Sequence, residues 1–413
     1  MFKFLHTADL HLGKTFYDHS LAEDQAAMLE DLARLLEDGS YDALVIAGDV
    51  YDRSIPAPEA VELFGKFLSR IKSIRPSPEL LVIPGNHDSA SRLGYGRELF
   101  SRLGIRFGVS AAECDRPVII EKDGERCAFF LLPFLSPGSL ERETPAGEEA
   151  QILRSQAALA EEAARRMEKA QRELPDLTYS VLAAHLFASG GVEAGSERVF
   201  LGNAELVSLS LFKNFNYIAL GHLHRSQRAG ENAWYPGSPL AYSFGEAASS
   251  KDAEKCFLSV ELGKDGARVE KIPVKPLRRV TSIGGPFSRF ARFADETRDP
   301  PADSPGDPEL LAAADDYLEI RLSDRGITEN ARDILRKRFP HLLSLRQDAA
   351  FAELSSVIKT SGGSRANERR NLSADFKDFL IDLYGSEGAA DLSSETDLFN
   401  TLLAEIEVEE SQA

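Results

Sequence analysis

The stretch LLVIPGNHDS, residues 80–89, decides the fold. Leu80–Ile83 is a short apolar run with β-branched residues, the pattern of a strand covered on both faces. Pro84-Gly85 ends it. The chain then presents an amide, an imidazole and a carboxylate in succession, Asn86, His87 and Asp88. A strand followed at once by three polar side chains places them on a loop at the strand's carboxyl end.

The same arrangement recurs. FKFLHTA (2–8), ALVIAGD (43–49), CAFFLLPF (127–134), YSVLAAHL (179–186) and YIALGHL (217–223) are also strand-like, and helix signals alternate with them. The first helix follows Ser20 and Glu23, spaced as a capping box. Met28, Leu29, Leu32, Leu35 and Leu36 form its stripe, and Gly39 ends it. The second starts near Pro58 and carries Val61, Phe64, Phe67, Leu68 and Ile71. Residues 1–276 therefore read as an α/β domain. Residues 146–174 read as a charged, alanine-rich surface helix.

Strand carboxyl ends meet at one edge of an α/β sheet, where ligands bind. Of eight histidines in the chain, five lie at or just after these strand ends: His11, His87, His185, His222 and His224. With Asp9, Asp49 and Asn86 they form the elements DLH (9–11), GDVYD (48–52), GNHD (85–88), AH (184–185) and GHLH (221–224). Any one element means little alone; five in order, each after a strand, point to one site. Such a mixture suits two divalent cations roughly 3.5–4 Å apart that clamp a phosphate and activate water. Nitrogen and oxygen donors without thiolate suit Mn²⁺, Fe²⁺ or Zn²⁺. A carboxylate such as Asp49 can bridge two ions, and Asn86 adds an oxygen without adding charge. Asp52 and Asp88 read as supporting groups that orient histidine or backbone. His6 reads as core or as a supporting group, and His19 and His341 as isolated residues. No G-x-S-x-G, phosphate-binding loop or dinucleotide fingerprint competes.

At 413 residues the chain is long enough for two or three domains. LRRVTSI (277–283), DYLEIRL (316–322), a helix in TENARDILRKRF (328–339) and LLSLRQ (342–347) make a compact α+β module, 277–348. The Pro- and Asp-rich RDPPADSPGDPE (298–309) interrupts it, and KTSGGSRANERR (359–370) reads as a linker. Net charge is −18, yet residues 371–413 hold eleven acidic residues against one lysine, so the rest is only mildly acidic. Phe376, Phe379, Leu380 and Leu383, then Phe399, Leu402, Leu403 and Ile406, repeat helical spacing there. Three scattered cysteines fit neither a disulfide framework nor a zinc site. No leader and no membrane span is evident, so a soluble cytoplasmic protein is expected.

The ordered set D-x-H, GDxxD, GNHD, H and GHxH resembles the calcineurin-like metallophosphoesterases, a four-layered β-sandwich flanked by helices. HTADLHLGKTFYD (6–18), GDVYDRSIPAPEAV (48–61), IPGNHDSASRLGYGRELF (83–100) and YPGSPLAYSFGEA (235–247) narrow the resemblance to the nuclease subunits of SbcCD-type repair complexes. That resemblance implies one ion on Asp9, His11, Asp49 and His224, and a second on Asp49, Asn86, His185 and His222. It implies Mn²⁺ as the preferred ion over Mg²⁺, Fe²⁺ or Zn²⁺, with His87 as the catalytic histidine at the scissile phosphate, oriented by Asp88. It further implies 3′-to-5′ exonuclease and hairpin-opening activity on double-stranded DNA ends, a homodimer within a heterotetramer, and a cap at 277–348. The helical tail, 349–413, would bind the ATPase subunit. Separately from the resemblance, Arg278 and Arg279 in the cap read either as DNA contacts or as a plain solvated surface. A phosphoesterase acting on a small ester, a cyclic nucleotide or a phosphoprotein shares the same site pattern. A scaffold with a degenerate site is disfavoured by the intact set.

Overall fold

The structure, a computed structural model, describes residues 1–142, 151–188, 206–246, 254–295, 307–324, 330–347 and Phe399. The chain divides into Met1–Ala349 and Ala350–Ala413. The linker and the tail helices expected in the second unit lie, apart from Phe399, outside the described residues, as does most of the Pro- and Asp-rich loop.

Two six-stranded sheets form the main body. In the first, the strand order is Gly266–Pro273, Cys256–Gly263, Phe2–Thr7, Ala43–Ala47, Glu79–Ile83 and Ile105–Phe107. The first three pair with one another antiparallel, and from Phe2–Thr7 onward the pairings are parallel. In the second, the order is Gln227–Arg228, Ala233–Tyr235, Tyr217–Gly221, Tyr179–His185, Glu125–Leu132 and Val118–Lys122.

The period-two alternation of a strand sorts its side chains into layers. Phe4, Val45, Leu81 and Ile83 of the first sheet meet Phe129, Val181, Ala183 and Tyr217 of the second in a shared core. Leu44, Ile46, Leu80 and Val82 face the other way, onto Ala22–Asp38 and Pro58–Ser73. On the far side Phe130, Leu182, Ile218 and Leu220 pack with Gln156–Glu173. This is the expected four-layer α/β sandwich, and it explains why the strands read as apolar on both faces.

Local readings need correction. The first helix starts at Ala22 with Leu21 at its N-cap and no side-chain cap bond; Ser20 Oγ only accepts Ala22 N at 3.3 Å. Val61 is 47% exposed and stands outside the stripe of the second helix, which Ala60 joins instead. The alanine-rich helix begins at Gln156, capped by Ser155, and buries Leu159, Ala160, Ala163 and Met167. It is a core-packing helix, because small alanines let it approach the sheet closely. Among the described residues no helix is long and apolar enough to cross a membrane.

Three parallel strands, Val280–Gly285, Tyr317–Leu322 and Leu342–Gln347, form a third sheet. Phe290, Leu310, Leu318, Ile320, Leu335 and Phe339 cluster around it. Asp24 of the first helix, 2% exposed, ties this sheet to the main body. It accepts Arg278 N at 3.1 Å, an Arg278 guanidinium nitrogen at 3.2 Å and the Tyr317 hydroxyl at 2.6 Å. His19 and His341, expected to be isolated, both lie against the Tyr317 ring, 5.6 Å from each other. Arg278 also pairs with Glu23, and Arg279 with Asp316. Both arginines thus have acidic partners within the fold.

Candidate metal centre

Four residues in the loops that end the strands carry strained backbone. Asp9, His11, Asp49 and His222 have φ of 54°, 44°, 49° and 108°. Such conformations cost about 1–3 kcal/mol each in non-glycine residues and persist only where the surroundings enforce them. Here the enforcement is visible. Asp9 N donates to Gly48 O and His11 N to Asp49 O, each at 3.0 Å. His222 N donates to Asp9 Oδ1 at 3.1 Å.

The Asp88 carboxylate accepts Gly85 N and Val50 N at 3.0 Å and Tyr51 N at 2.9 Å. It staples the loop after one strand to the loop after the next. This is the backbone-supporting part of the role read for it from the sequence. The backbone carbonyl of Asp52 lies 2.8 Å from His87 Nδ1. His87 N donates to Asp49 Oδ1 at 2.9 Å.

The side chains expected from the sequence converge. His11 Nε2 and His224 Nε2 are 3.1 Å apart. Asn86 Oδ1 lies 3.0 Å from both His185 Nε2 and His222 Nδ1. Asp49 Oδ2 sits between the two sets, 3.7 Å from His11 Nε2 and 3.5 Å from His185 Nε2. Asp9, His11 and His224 form one compact group able to hold an ion; Asp9, Asp49 and His185 form another, and His11, Asp52 and His87 a third. No cysteine belongs to any of them. Imidazole nitrogens pointing at one another with carboxylate oxygens beside them fit divalent cations, because lone pairs at 3.1 Å repel unless a proton or an ion lies between them.

Burial governs the charges. It holds His11 down to about 4 and His222 down to about 3, the neutral forms that can ligate an ion. Burial pushes Asp9 up to about 7. For Asp49 burial acts upward too, but His185 and His11 outweigh it and hold the carboxyl well below the usual range. His185 responds in turn: burial is outweighed by Asp49 and the ring rises to about 9.

Several supporting residues carried no signal in the sequence reading. Gln25 Nε2 donates to His11 O at 2.7 Å. Glu246 and Lys255 lie behind His224, and the Tyr242 ring packs 5.4 Å from that of His11. Only Glu246 and Tyr242 fall within one of the stretches that carried the family resemblance. His6 is a core residue, bonded to the Tyr217 hydroxyl and Leu220 O.

A two-sheet sandwich with His, Asp and Asn delivered from five strand ends defines a metallophosphoesterase. The calcineurin-like phosphoesterase family model matches residues 2–226, and the chain belongs to that family. Within it, the chain is a homologue of SbcD, the D chain of the SbcCD nuclease, from Staphylococcus saprophyticus. The two are 32% identical over 345 residues, or 83% of this chain and 84% of the relative. Among solved structures it is similar to TT1561 of Thermus thermophilus, at 14% identity, 66% of this chain, 99% of the other and a TM-score of 0.37. A dimetal phosphatase from Danio rerio shows 12% identity, the same two coverages and a TM-score of 0.37.

Proposed function

We propose that the chain is the nuclease subunit of an SbcCD-type complex, a Mn²⁺-dependent 3′-to-5′ exonuclease and hairpin-processing endonuclease working in DNA repair and recombination. The observation that carries this is the convergence of the five loops in a chain 32% identical to a nuclease subunit across most of both lengths. One ion would be held by Asp9, His11, Asp49 and His224, and the other by Asp49, Asn86, His185 and His222. Bound divalent ions would supply Lewis-acid polarisation of the phosphoryl group and a lowered pKa for water.

The chain's own residues do the rest. Asp49, fixed between two histidine sets, holds negative charge at the centre. Asn86 contributes an oxygen without repelling an anionic backbone. His87 donates a proton to the departing oxygen; its Nδ1 bond to Asp52 O supports this role by setting the ring's orientation. The positive φ at Asp9, His11 and Asp49 supports a site built in advance of its substrate.

Residues 1–276 serve as the nuclease domain, 277–348 as a cap that contacts DNA, and 349–413 as linker and helices that bind an SbcC-type ATPase. Exposed apolar side chains favour pairing of two copies within a heterotetramer. Val61 is 47% exposed, Tyr95 84%, Leu99 69% and Leu103 61%, all in the main body. The deciding assay offers linear and hairpin DNA with Mn²⁺, with and without the ATPase. Degradation from 3′ ends and opening of hairpins are expected. Hydrolysis of small phosphodiesters with both DNA substrates left intact would overturn the reading.

A further inference from the structure

Two of the four histidines at the centre share one form of support. His224 Nδ1 lies 3.5 Å from Glu246 Oε1, and Glu246 Oε2 accepts Lys255 Nζ at 2.6 Å. His11 Nδ1 lies 3.4 Å from Asp52 Oδ1, an electrostatic contact rather than an aligned hydrogen bond, and that oxygen accepts Lys14 Nζ at 2.7 Å. Each ring is thus backed by a carboxylate that is itself backed by an ammonium group. Their Nε2 atoms face each other at 3.1 Å. The other two histidines show a different arrangement. His185 Nδ1 is backed by the neutral carbonyl of Ala47 at 2.8 Å, and His222 turns Nδ1 toward its proposed co-ligand Asn86 Oδ1 at 3.0 Å.

We infer that the two ions are bound unequally, and that Glu246, backed by Lys255, is a positioning residue for the tighter one, held through His224 and His11. This rests on the two-metal reading above. A carboxylate behind an imidazole fixes the tautomer, orients the ring and strengthens the opposite nitrogen as a donor; its loss typically costs 10–100-fold in metal affinity. A carbonyl fixes the ring but adds less donor strength.

The surroundings of Glu246 fit this task. It is only 6% exposed, so its charge needs compensation. Oε2 receives Lys255 Nζ, Tyr242 N at 3.3 Å and Ser238 Oγ at 3.4 Å. Oε1 receives Ser243 Oγ at 3.2 Å and faces the imidazole. Lys255 also donates to the His224 carbonyl at 3.0 Å. One lysine therefore fixes both the carboxylate behind the ring and the backbone that carries it. A buried ion pair needed only for folding would not require either contact to His224.

Calorimetric titration of the full-length chain with MnCl₂ tests the assignment. Two binding steps are expected for the wild type. Glu246→Gln should weaken the tighter step by about 10–100-fold and leave the weaker step within experimental scatter. Lys255→Met should weaken the same step, and Lys255→Arg should restore most of it. The metal-free unfolding midpoint serves as the control for fold. Should Glu246→Gln fail to fold, the Lys255→Met and Lys255→Arg pair decides alone. Unchanged steps in the folded variants, or equal weakening of both steps, would overturn the inference while leaving two-metal binding intact. A wild-type protein that takes up fewer than two ions would instead remove the reading on which it rests.

Discussion

His87 Nδ1 lies 2.8 Å from the backbone carbonyl of Asp52, so main chain holds one side of the ring in place. This commits Nδ1 to donation and assigns proton exchange with substrate to Nε2. His87→Ala is expected to bind Mn²⁺ as the wild type does and to lose about 10²–10⁴-fold in kcat, the usual contribution of a positioned proton donor. Loss of metal in calorimetry would instead make His87 a ligand.

His185 has oxygen acceptors at both ring nitrogens, Ala47 O at 2.8 Å and Asn86 Oδ1 at 3.0 Å, as an imidazolium requires. Asp49 raises the ring to about 9 against the opposing effect of burial. Below that pH the metal-free ring is charged, and it must release its proton to become a ligand. Mn²⁺ affinity should therefore rise with pH up to about 9. Titrations near neutral pH in buffers of different ionisation enthalpy should register the release of at least one proton. Heats independent of the buffer would refute this.

Gly85 is required by space. A Cβ there would lie 2.1 Å from Asp49 Oδ1 and 2.5 Å from Asp49 N. Gly85→Ala should push Asp49 from its place, at a stability cost of about 1–3 kcal/mol. A displacement near 1 Å at a reacting centre can cost roughly 100-fold in rate. Denaturation and initial-rate measurements read both effects, and a fully active variant would show that the loop yields elsewhere.

Tyr317 offers a cleaner change at the contact between the third sheet and the main body. Its hydroxyl donates to buried Asp24 at 2.6 Å. Tyr317→Phe removes one bond to a charged acceptor, for which about 1.5–3 kcal/mol is expected in chemical denaturation. Gln25, the next residue, holds the His11 carbonyl, so the variant should also weaken Mn²⁺ binding if Asp24 shifts the helix. A variant with wild-type stability would show that Arg278 alone secures the contact.

Truncation after Lys359 should leave Mn²⁺-dependent nuclease activity in place and abolish co-purification with the ATPase subunit. The apolar spacing at 376–383 and 399–406 supplies the reason: it is the sequence pattern expected of segments that dock into a partner's groove. Undiminished capture of the ATPase by the shortened chain would rule it out.

The layers and the convergence of the five loops were legible because burial on both faces leaves an unbroken apolar run, and the polar residue after it marks the strand's end. Asp9, Asp49 and His222 stood out on that ground. Lys255 and Gln25 did not, since one stands just before the strand Cys256–Gly263, at the start of its apolar run rather than its end, and the other lies on a helix among residues of similar polarity. His19 and His341 meet across most of the chain, a relationship that no local pattern encodes. Ser20 misled because capping-box spacing describes the residues present and not the φ/ψ they adopt; the chain at 19–20 is paired with Thr15–Phe16 instead.

The sheet order also sets a timetable for synthesis. Phe2–Thr7 lies beside Ala43–Ala47 on one edge, and its other edge pairs with Cys256–Gly263, Phe2 opposite Leu262. At translation rates of roughly 5–20 residues per second, about 10–50 seconds pass before that partner emerges. During this interval an apolar strand presents an open edge, the feature that templates aggregation. His222 and His224 emerge late as well, so the nascent chain cannot complete its ion-binding centre while Asp9 and His11 are already exposed. Catalytic competence is thus acquired only after most of the sandwich has left the ribosome.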